Sequence, residues 1–364
     1  MKERNYNLDL IRCVAVIFVI SVHFFLNSGF YDIICVGKRM LIMSICRTAF
    51  ITCVPLFLML TGYLMSKKEL NRQYYRGIKK TYFIYVIVCV FCLGFRVLYQ
   101  HEKLKIRQMI LSILDFSADS YSWYIEMYIG LFLMIPFLNI LWNNMTLEKQ
   151  RWLIITLLCL TAVPSLLNCW NLFFIESDTR IYNTIIPEWW QGSVYIFLYY
   201  FLGADRKNTY KRDLFLLIGM MIVFGGFTYL RSYNGIYEWG AYNSYYGFQV
   251  VLIAIFIFRI LLHVPMQRCP QIVKKGVLKL SDLSLGIYLG SNISDKIVYP
   301  KLAELVIEPI KRMDFFLIIV AISFLMAFMI PMLANSIYEV VSGRTEKMYG
   351  SFLKLLNSKK NTSI

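Results

Sequence analysis

Long apolar runs separated by short basic segments dominate the chain. Ten of them have the roughly 17 to 25 residues needed to cross a hydrocarbon core of about 30 Å, beginning near Leu8, Leu41, Thr81, Ser122, Trp152, Gln191, Leu214, Gly247, Leu280 and Asp314. The pattern predicts an all-α fold, a polytopic membrane helix bundle of about ten transmembrane helices. Ser, Asp and Asn interrupt the ninth run, LSDLSLGIYLGSNISDKIVY, so it is expected to face protein or water rather than lipid. The first run carries Arg12 and His23, is long, and lacks a small-residue cleavage site. It reads as a retained first helix, not a signal peptide.

Composition agrees with a membrane protein. Of 364 residues, 58% are hydrophobic and only 16% charged, with a formal net charge of +16; soluble domains carry about 25% charged residues. An ordinary soluble enzyme is excluded. Nucleic acid is not the expected partner, because the cations sit between apolar runs instead of forming a patch on a polar surface. They set orientation instead. With the N-terminus inside, 24 of the 38 Lys and Arg fall on cytoplasmic segments and 11 on outer ones, while Arg12, Arg47 and Arg96 lie within or beside spans. An even number of spans puts both termini in the cytoplasm. The organisation expected is one transmembrane domain, 1–340, followed by a short basic cytoplasmic tail, 341–364, without internal repeats, low-complexity tracts or lipidation signals. The longest outer loop runs from Asn168 to Glu188.

The informative residues are polar ones inside apolar runs. Arg12 and His23 are 11 positions apart, close to three helical turns, so they share a face with about 16 Å of rise between them. Asp9 precedes Arg12 by three residues and can pair with it. This places a charged pair near the cytoplasmic edge and a titratable imidazole slightly beyond the midplane. Each residue also has a bland explanation: Arg12 can snorkel with Asp9 as its counter-ion, and His23 can be an interhelical hydrogen bonder. Further on, Lys67, Lys68, Arg72, Arg76, Lys79 and Lys80 crowd one inner loop. They suit a topology anchor, but Arg76, Lys79 and Lys80 are spaced to line one side of a helix entering the membrane, where a polyphosphate arriving from the cytoplasm would bind. Glu126, one turn into the fourth span, is a candidate partner for His23 or for a substrate hydroxyl, or else a structural hydrogen bonder at the interface. Trp123, Trp189 and Trp190 fall at expected interfaces, where aromatic belts need no function. Cys89 and Cys92 form a CxxC in an apolar helix without nearby further ligands, so the cysteines read as buried small hydrophobes and no metal site is expected.

Together these stretches resemble a known family. Leu8-Asp9 followed by Arg12-x10-His23, Pro55-x-Phe57 through Thr61-Gly62-Tyr63-Leu64, the basic approach to the third span, Trp123-Tyr124 with Pro136, Tyr200-Phe-Leu-Gly203 and Ser284-x-Gly286-Ile-Tyr288-Leu289 are similar in kind and order to the integral-membrane acyltransferase 3 family, over nearly the whole chain. Two departures stand out. The family's basic Arg-x-x-Arg is here Arg76-x-x-Lys79, which keeps charge but loses bidentate phosphate geometry. A His that often follows the late Tyr-Leu segment is replaced by Ser291.

The resemblance implies an O-acyltransferase that moves an acyl group, usually acetyl, from cytoplasmic acyl-CoA to a hydroxyl of an envelope glycan or lipid-linked sugar at the outer face of a bacterial plasma membrane. Arg72, Arg76, Lys79 and Lys80 would hold the CoA phosphates. Arg12 would position the donor with Asp9 fixing it, and His23 would act as general base or as transient acyl carrier. Glu126 with Trp123, Trp189 and Trp190 would receive the sugar. The alternative from another class is a transporter or exporter of a small molecule or polysaccharide, with the same polar residues lining its path and no bond changed. Nothing in the sequence sets the oligomeric state.

Overall fold

The computed structural model describes residues 4–169, 190–205 and 213–361. Along these run fifteen helices: α1 (Tyr6–Asn27), α2 (Gly37–Phe50), α3 (Cys53–Met65), α4 (Arg72–Arg76), α5 (Lys79–Leu98), α6 (Ile106–Leu114), α7 (Trp123–Asn143), α8 (Leu147–Leu160), α9 (Ala162–Asn168), α10 (Gln191–Ala204), α11 (Asp213–Arg231), α12 (Phe248–His263), α13 (Gln271–Leu305), α14 (Pro309–Arg312) and α15 (Phe316–Asn361). Among the described residues there is no β-strand. Eight segments among the described residues are long and apolar enough to cross a membrane: Tyr6–Asn27, Gly37–Met65, Arg72–Leu98, Trp123–Asn143, Leu147–Asn168, Leu214–Arg231, Ala241–Arg268 and Pro309–Tyr338. The chain is a helical membrane bundle. The runs expected at Gln191 and Leu280 correspond to α10, with 14 helical residues, and α13, with 35; the first is short and the second polar.

Proline decides where the spans break. A proline ring clashes with the carbonyl four residues earlier and offers no N–H to it. Pro55 lies in the first turn of α3, and α2 ends at Phe50, one residue before the position the ring would strike. For Pro164 the position struck is Leu160 itself, the last residue of α8, and α9 begins after Thr161. Pro136 instead sits inside an unbroken α7, and the Phe132 carbonyl that it frees accepts a hydrogen bond from the Tyr74 hydroxyl at 2.6 Å.

Three contacts organise the bundle. α1 and α13 run parallel, because Asp9 meets Ser281 near their N-terminal ends and His23 meets Ser291 further along. The polar residues of α13 face this junction: Ser281, Ser284, Ser291, Asn292 and Asp295 are all buried, so lipid never has to solvate them. α15 packs antiparallel on the other side of α13, with Pro331 over Gly286 and Ser323 bonded to Asp295. α3 and α10 cross without room for side chains: Gly62 faces the Tyr200 backbone, and Gly203 faces that of Met59. This is how small residues let membrane helices approach, and it joins two of the motifs that carried the family resemblance. The C-terminal carbonyls of α3, which have no intrahelical donor, are met from α7. Asn139 donates to Met65 O and Lys68 O at 2.8 and 2.7 Å, Asn143 donates to Ser66 O at 3.1 Å, and Tyr200 donates to Asn139 Oδ1.

One buried cation has no carboxylate partner among the described residues. Arg47 of α2 is 1% exposed. It donates to the hydroxyls of Tyr31 and Tyr237 at 2.7 and 3.1 Å, and its guanidinium lies against the rings of Tyr31, Tyr237 and Trp239. Aromatic faces supply the electron density that water would, and the arrangement ties α2 to the segments after α1 and α11.

A β-carbon at position 203 would fall on the Met59 backbone, which cannot give way as a side chain can. Gly203→Val should therefore destabilise the folded protein by about 3 kcal/mol, the upper end for overpacking, seen as a lower melting midpoint in detergent. Gly219→Val, on α11 with nothing within 4 Å, serves as the control and should leave the midpoint little changed.

Candidate active site

His23 lies one turn from the C-terminal end of α1, nearer the end of its span than the midplane position expected from the sequence. Its Nδ1 stands 3.0 Å from Asp295 Oδ2 and 3.2 Å from Ser291 Oγ. The Ser291 hydroxyl donates to the Tyr288 carbonyl one turn back at 2.6 Å, which leaves its lone pairs toward the imidazole. Asp295 is buried and fully engaged: Oδ2 also accepts from the Tyr121 hydroxyl at 2.9 Å, and Oδ1 from Ser323 at 3.3 Å. The imidazole stacks on the Tyr121 ring, centroids 3.9 Å apart.

Tyr121 precedes α7 and is fixed at each end. Its amide donates to Asp119 Oδ1 at 2.6 Å, its carbonyl accepts from the Tyr288 hydroxyl, and Asn27 donates to its hydroxyl at 3.3 Å. Asp119 takes a second bond from Ser122 Oγ at 2.7 Å. Burial pushes the Asp119 carboxyl up, and the hydrogen bonds from Ser122 and the Tyr121 amide oppose that shift. The loop thus holds one aromatic ring against His23 through the hydrogen bonds that Asp119 accepts from the Tyr121 amide and Ser122.

Two recesses approach this centre from opposite ends of the bundle. The first, about 250 Å³, is mostly apolar and extends from Arg12, Leu64, Met65 and Thr81 to Tyr124 and Tyr288. The second, about 370 Å³, is lined by Asn27, Ser120, Tyr121, Asn292, Asp295 and Lys296. Tyr121, His23 and Tyr288 stand between them, the two outer rings 6.5 Å apart.

At the N-terminal end of α1, Asp9 is 3% exposed. It accepts from Arg4 at 3.0 and 3.1 Å, from Arg12 at 3.4 Å and from Ser281 at 2.7 Å. Arg12 also donates to Ser281 at 3.2 Å, so it reaches the first recess with its counter-ion shared by Arg4. The basic loop adjoins that same end. Arg72, Arg76, Lys79 and Lys80 are all exposed, and Thr81, next in the chain, lines the recess. Arg76 ends α4 and Lys79 starts α5, so the spacing expected to line one side of a single helix runs across the break at Gly77–Ile78.

Glu126 is elsewhere. It is exposed and shares a shallow groove between α7 and α10 with Trp123, Gly130 and Phe197; the carboxylate beside His23 is Asp295. Trp123 stacks on Tyr245, Trp190 is partly exposed just before α10, and Trp189 lies outside the described residues. Asp295 and Tyr121 were missed from sequence, although a signal existed: Ser284, Tyr288, Ser291 and Asp295 recur at 4, 3 and 4 positions in the ninth run, one stripe of a helix. Among the described residues, no group of three His, Cys, Asp or Glu side chains is arranged to hold a metal ion.

These features define a multi-pass membrane protein with a buried imidazole–carboxylate pair between two recesses. The acyltransferase domain family matches residues 5–335, and the chain belongs to that family: it is a membrane acyltransferase. Neither a curated protein nor a solved structure matches it.

Asp9 neutralises two partly exposed guanidiniums, so its loss should be felt but screened. Asp9→Asn should cost about 1 to 2 kcal/mol, and the cost should shrink in the double variant with Arg12→Gln if the two residues act on one another. Equal costs in both backgrounds, measured by thermal unfolding, would show that the contact is incidental.

Proposed function

We propose that the protein transfers an acyl group, most simply acetyl, from acyl-CoA in the first recess to a hydroxyl of an envelope glycan or lipid-linked sugar in the second, with His23 as the proton acceptor. The observation that carries this reading is the His23–Asp295 pair standing where the two recesses nearly meet. A neutral imidazole whose Nδ1 faces a carboxylate keeps its proton there and leaves the lone pair on Nε2. Asp295 then stabilises the imidazolium that forms when Nε2 takes the acceptor's proton. The acceptor oxygen attacks the thioester carbonyl carbon, the C–S bond breaks, and the imidazolium returns the proton to the departing thiolate. The products are an ester and free CoA.

Further features support each half. Exposed cations at the mouth of the first recess suit the CoA phosphates, Arg12 inside it can position the donor, and the apolar wall beyond suits the acyl end. On the other side, amides and hydroxyls suit a sugar. Tyr121 and Tyr288 keep water from connecting the two, which protects the thioester from hydrolysis. On this account Asp9 orients Arg12. Trp123, Trp190 and Glu126 belong to outer aromatic surface through which a glycan would approach rather than to the reacting centre.

In proteoliposomes supplied with labelled acetyl-CoA and an envelope glycan extract, His23→Ala should lower transfer at least about 100-fold. Asp295→Asn should lower it by a comparable factor, with folded protein undiminished in both. A His23→Ala variant that transfers normally would refute the assignment. Wild-type protein that moves glycan across the membrane without labelling it would favour export instead.

A further inference from the structure

We infer that the closed end of the first recess measures acyl length, admitting acetyl and rejecting butyryl, and that Val54 and Tyr124 set the limit. The inference rests on the acyl-transfer reading and assigns its donor specificity to two residues.

The pantetheine arm of CoA gives the recess a scale. From phosphorus to sulfur the arm runs through about thirteen bonds, and at the extended-chain reach of about 1.2 Å per bond it spans roughly 15 to 16 Å. Arg12, at the mouth, and His23, at the septum, are separated by about 16 Å of helical rise. An arm whose phosphate stays at the level of Arg12 therefore brings its sulfur to the level of His23 only when fully extended. It reaches no deeper. Volume agrees: the recess holds about 250 Å³, below the roughly 300 to 1,000 Å³ of sites that take a drug-sized ligand, so the arm itself occupies most of it.

What the acyl group meets follows from the helices at that level. Phe50, four residues before Val54, packs on Phe18 and Phe25 of α1, which brings Val54 beside Val19, one turn before His23. Both line the recess. Tyr124 rests against Phe57 and Tyr288 and completes the same end. Val19, Val54, Tyr124 and Tyr288 are all buried there, whereas Leu64 at the mouth is exposed, so the deep end offers no side exit into lipid. Ahead of the sulfur stand His23 and Tyr288, their rings 6.5 Å apart. An acyl chain must therefore turn aside, toward Val54 of α3 and Tyr124 of α7. Buried side chains pack at close to crystal density, so each added methylene has to displace one of them.

The size of the wall can be changed by the size of the probe. Val54→Ala removes two methyl groups, which is the space that the two extra methylenes of a butyl chain need. Full-length protein in nanodiscs is titrated by calorimetry with CoA, S-ethyl-CoA and S-butyl-CoA, thioethers that cannot transfer their chains, and each affinity is read relative to CoA. The wild type should bind S-ethyl-CoA at least about tenfold more tightly than S-butyl-CoA, and Val54→Ala should bring the two within about threefold. Tyr124→Leu, which opens the wall from α7, should relax the preference in the same direction and decides the matter if Val54→Ala does not fold. Equal affinities in the wild type, or a preference that the variants retain, would overturn the inference. Transfer of labelled acetyl and butyryl from their CoA thioesters is scored separately. Both moved equally well would overturn the length limit and keep the acyltransferase; neither moved, with the binding preference intact, would sink the acyltransferase chemistry and leave the length limit standing. Wild type that binds no CoA would sink both.

Discussion

Hydrocarbon cannot solvate a carboxylate, and that constraint shapes this bundle more than any other. Asp295 lies in a helix that the membrane would reject if it stood alone. Its oxygens are met by an imidazole, a phenol and a hydroxyl from three other segments, so α1, the loop before α7 and α15 all converge on α13. The parallel pairing of α1 with α13 follows, because only in that direction do both polar positions of α1, Asp9 and His23, find partners on the same stripe. A group that is costly to bury thereby specifies which helices are neighbours and in what register.

The same constraint separates what could be read from sequence from what could not. Span positions were legible because length and apolarity are local properties, and the retention of polar α13 against protein was legible because Ser, Asp and Asn have no place in lipid. Helix breaks at Phe50 and Leu160 were also written locally, in Pro55 and Pro164. The partner of His23 was not. Glu126 and Asp295 are both carboxylates inside apolar runs, and only the three-dimensional placement of α7 and α13 shows that one faces a surface groove and the other the imidazole. Tyr121 was harder still, since it belongs to a loop and looked like one more interfacial aromatic. The basic cluster is exposed, and Gly77–Ile78 interrupts the helix that its spacing implied.

The family's departures take on meaning in this setting. Ser291, in the position where the family resemblance predicts a His, lies against His23 Nδ1. A hydroxyl that donates to the Tyr288 carbonyl has lone pairs free to accept from the ring, so Ser291 and Asp295 share Nδ1. Gly62 and Gly203, parts of two separate motifs, exist to let α3 and α10 touch at the backbone. They belong to the walls rather than to the chemistry. Conversely the loop carrying Asp119, Ser120 and Tyr121 packs against the His23–Asp295 pair although nothing in its composition announces it.

The partition formed by Tyr121, His23 and Tyr288 also has an electrical consequence. Two recesses entering from opposite ends leave only a thin septum of side chains between them, and in an energised membrane the potential falls mainly across the material that water does not reach. A charge displaced through that septum works against about 2.3 kcal/mol for each 100 mV. In the transfer proposed above, a proton passes from the acceptor to the thiolate while an acyl group passes the opposite way, so neutral species stand on both sides before and after and the membrane potential neither drives nor opposes the reaction; a proton crossing without that exchange would be coupled to the field.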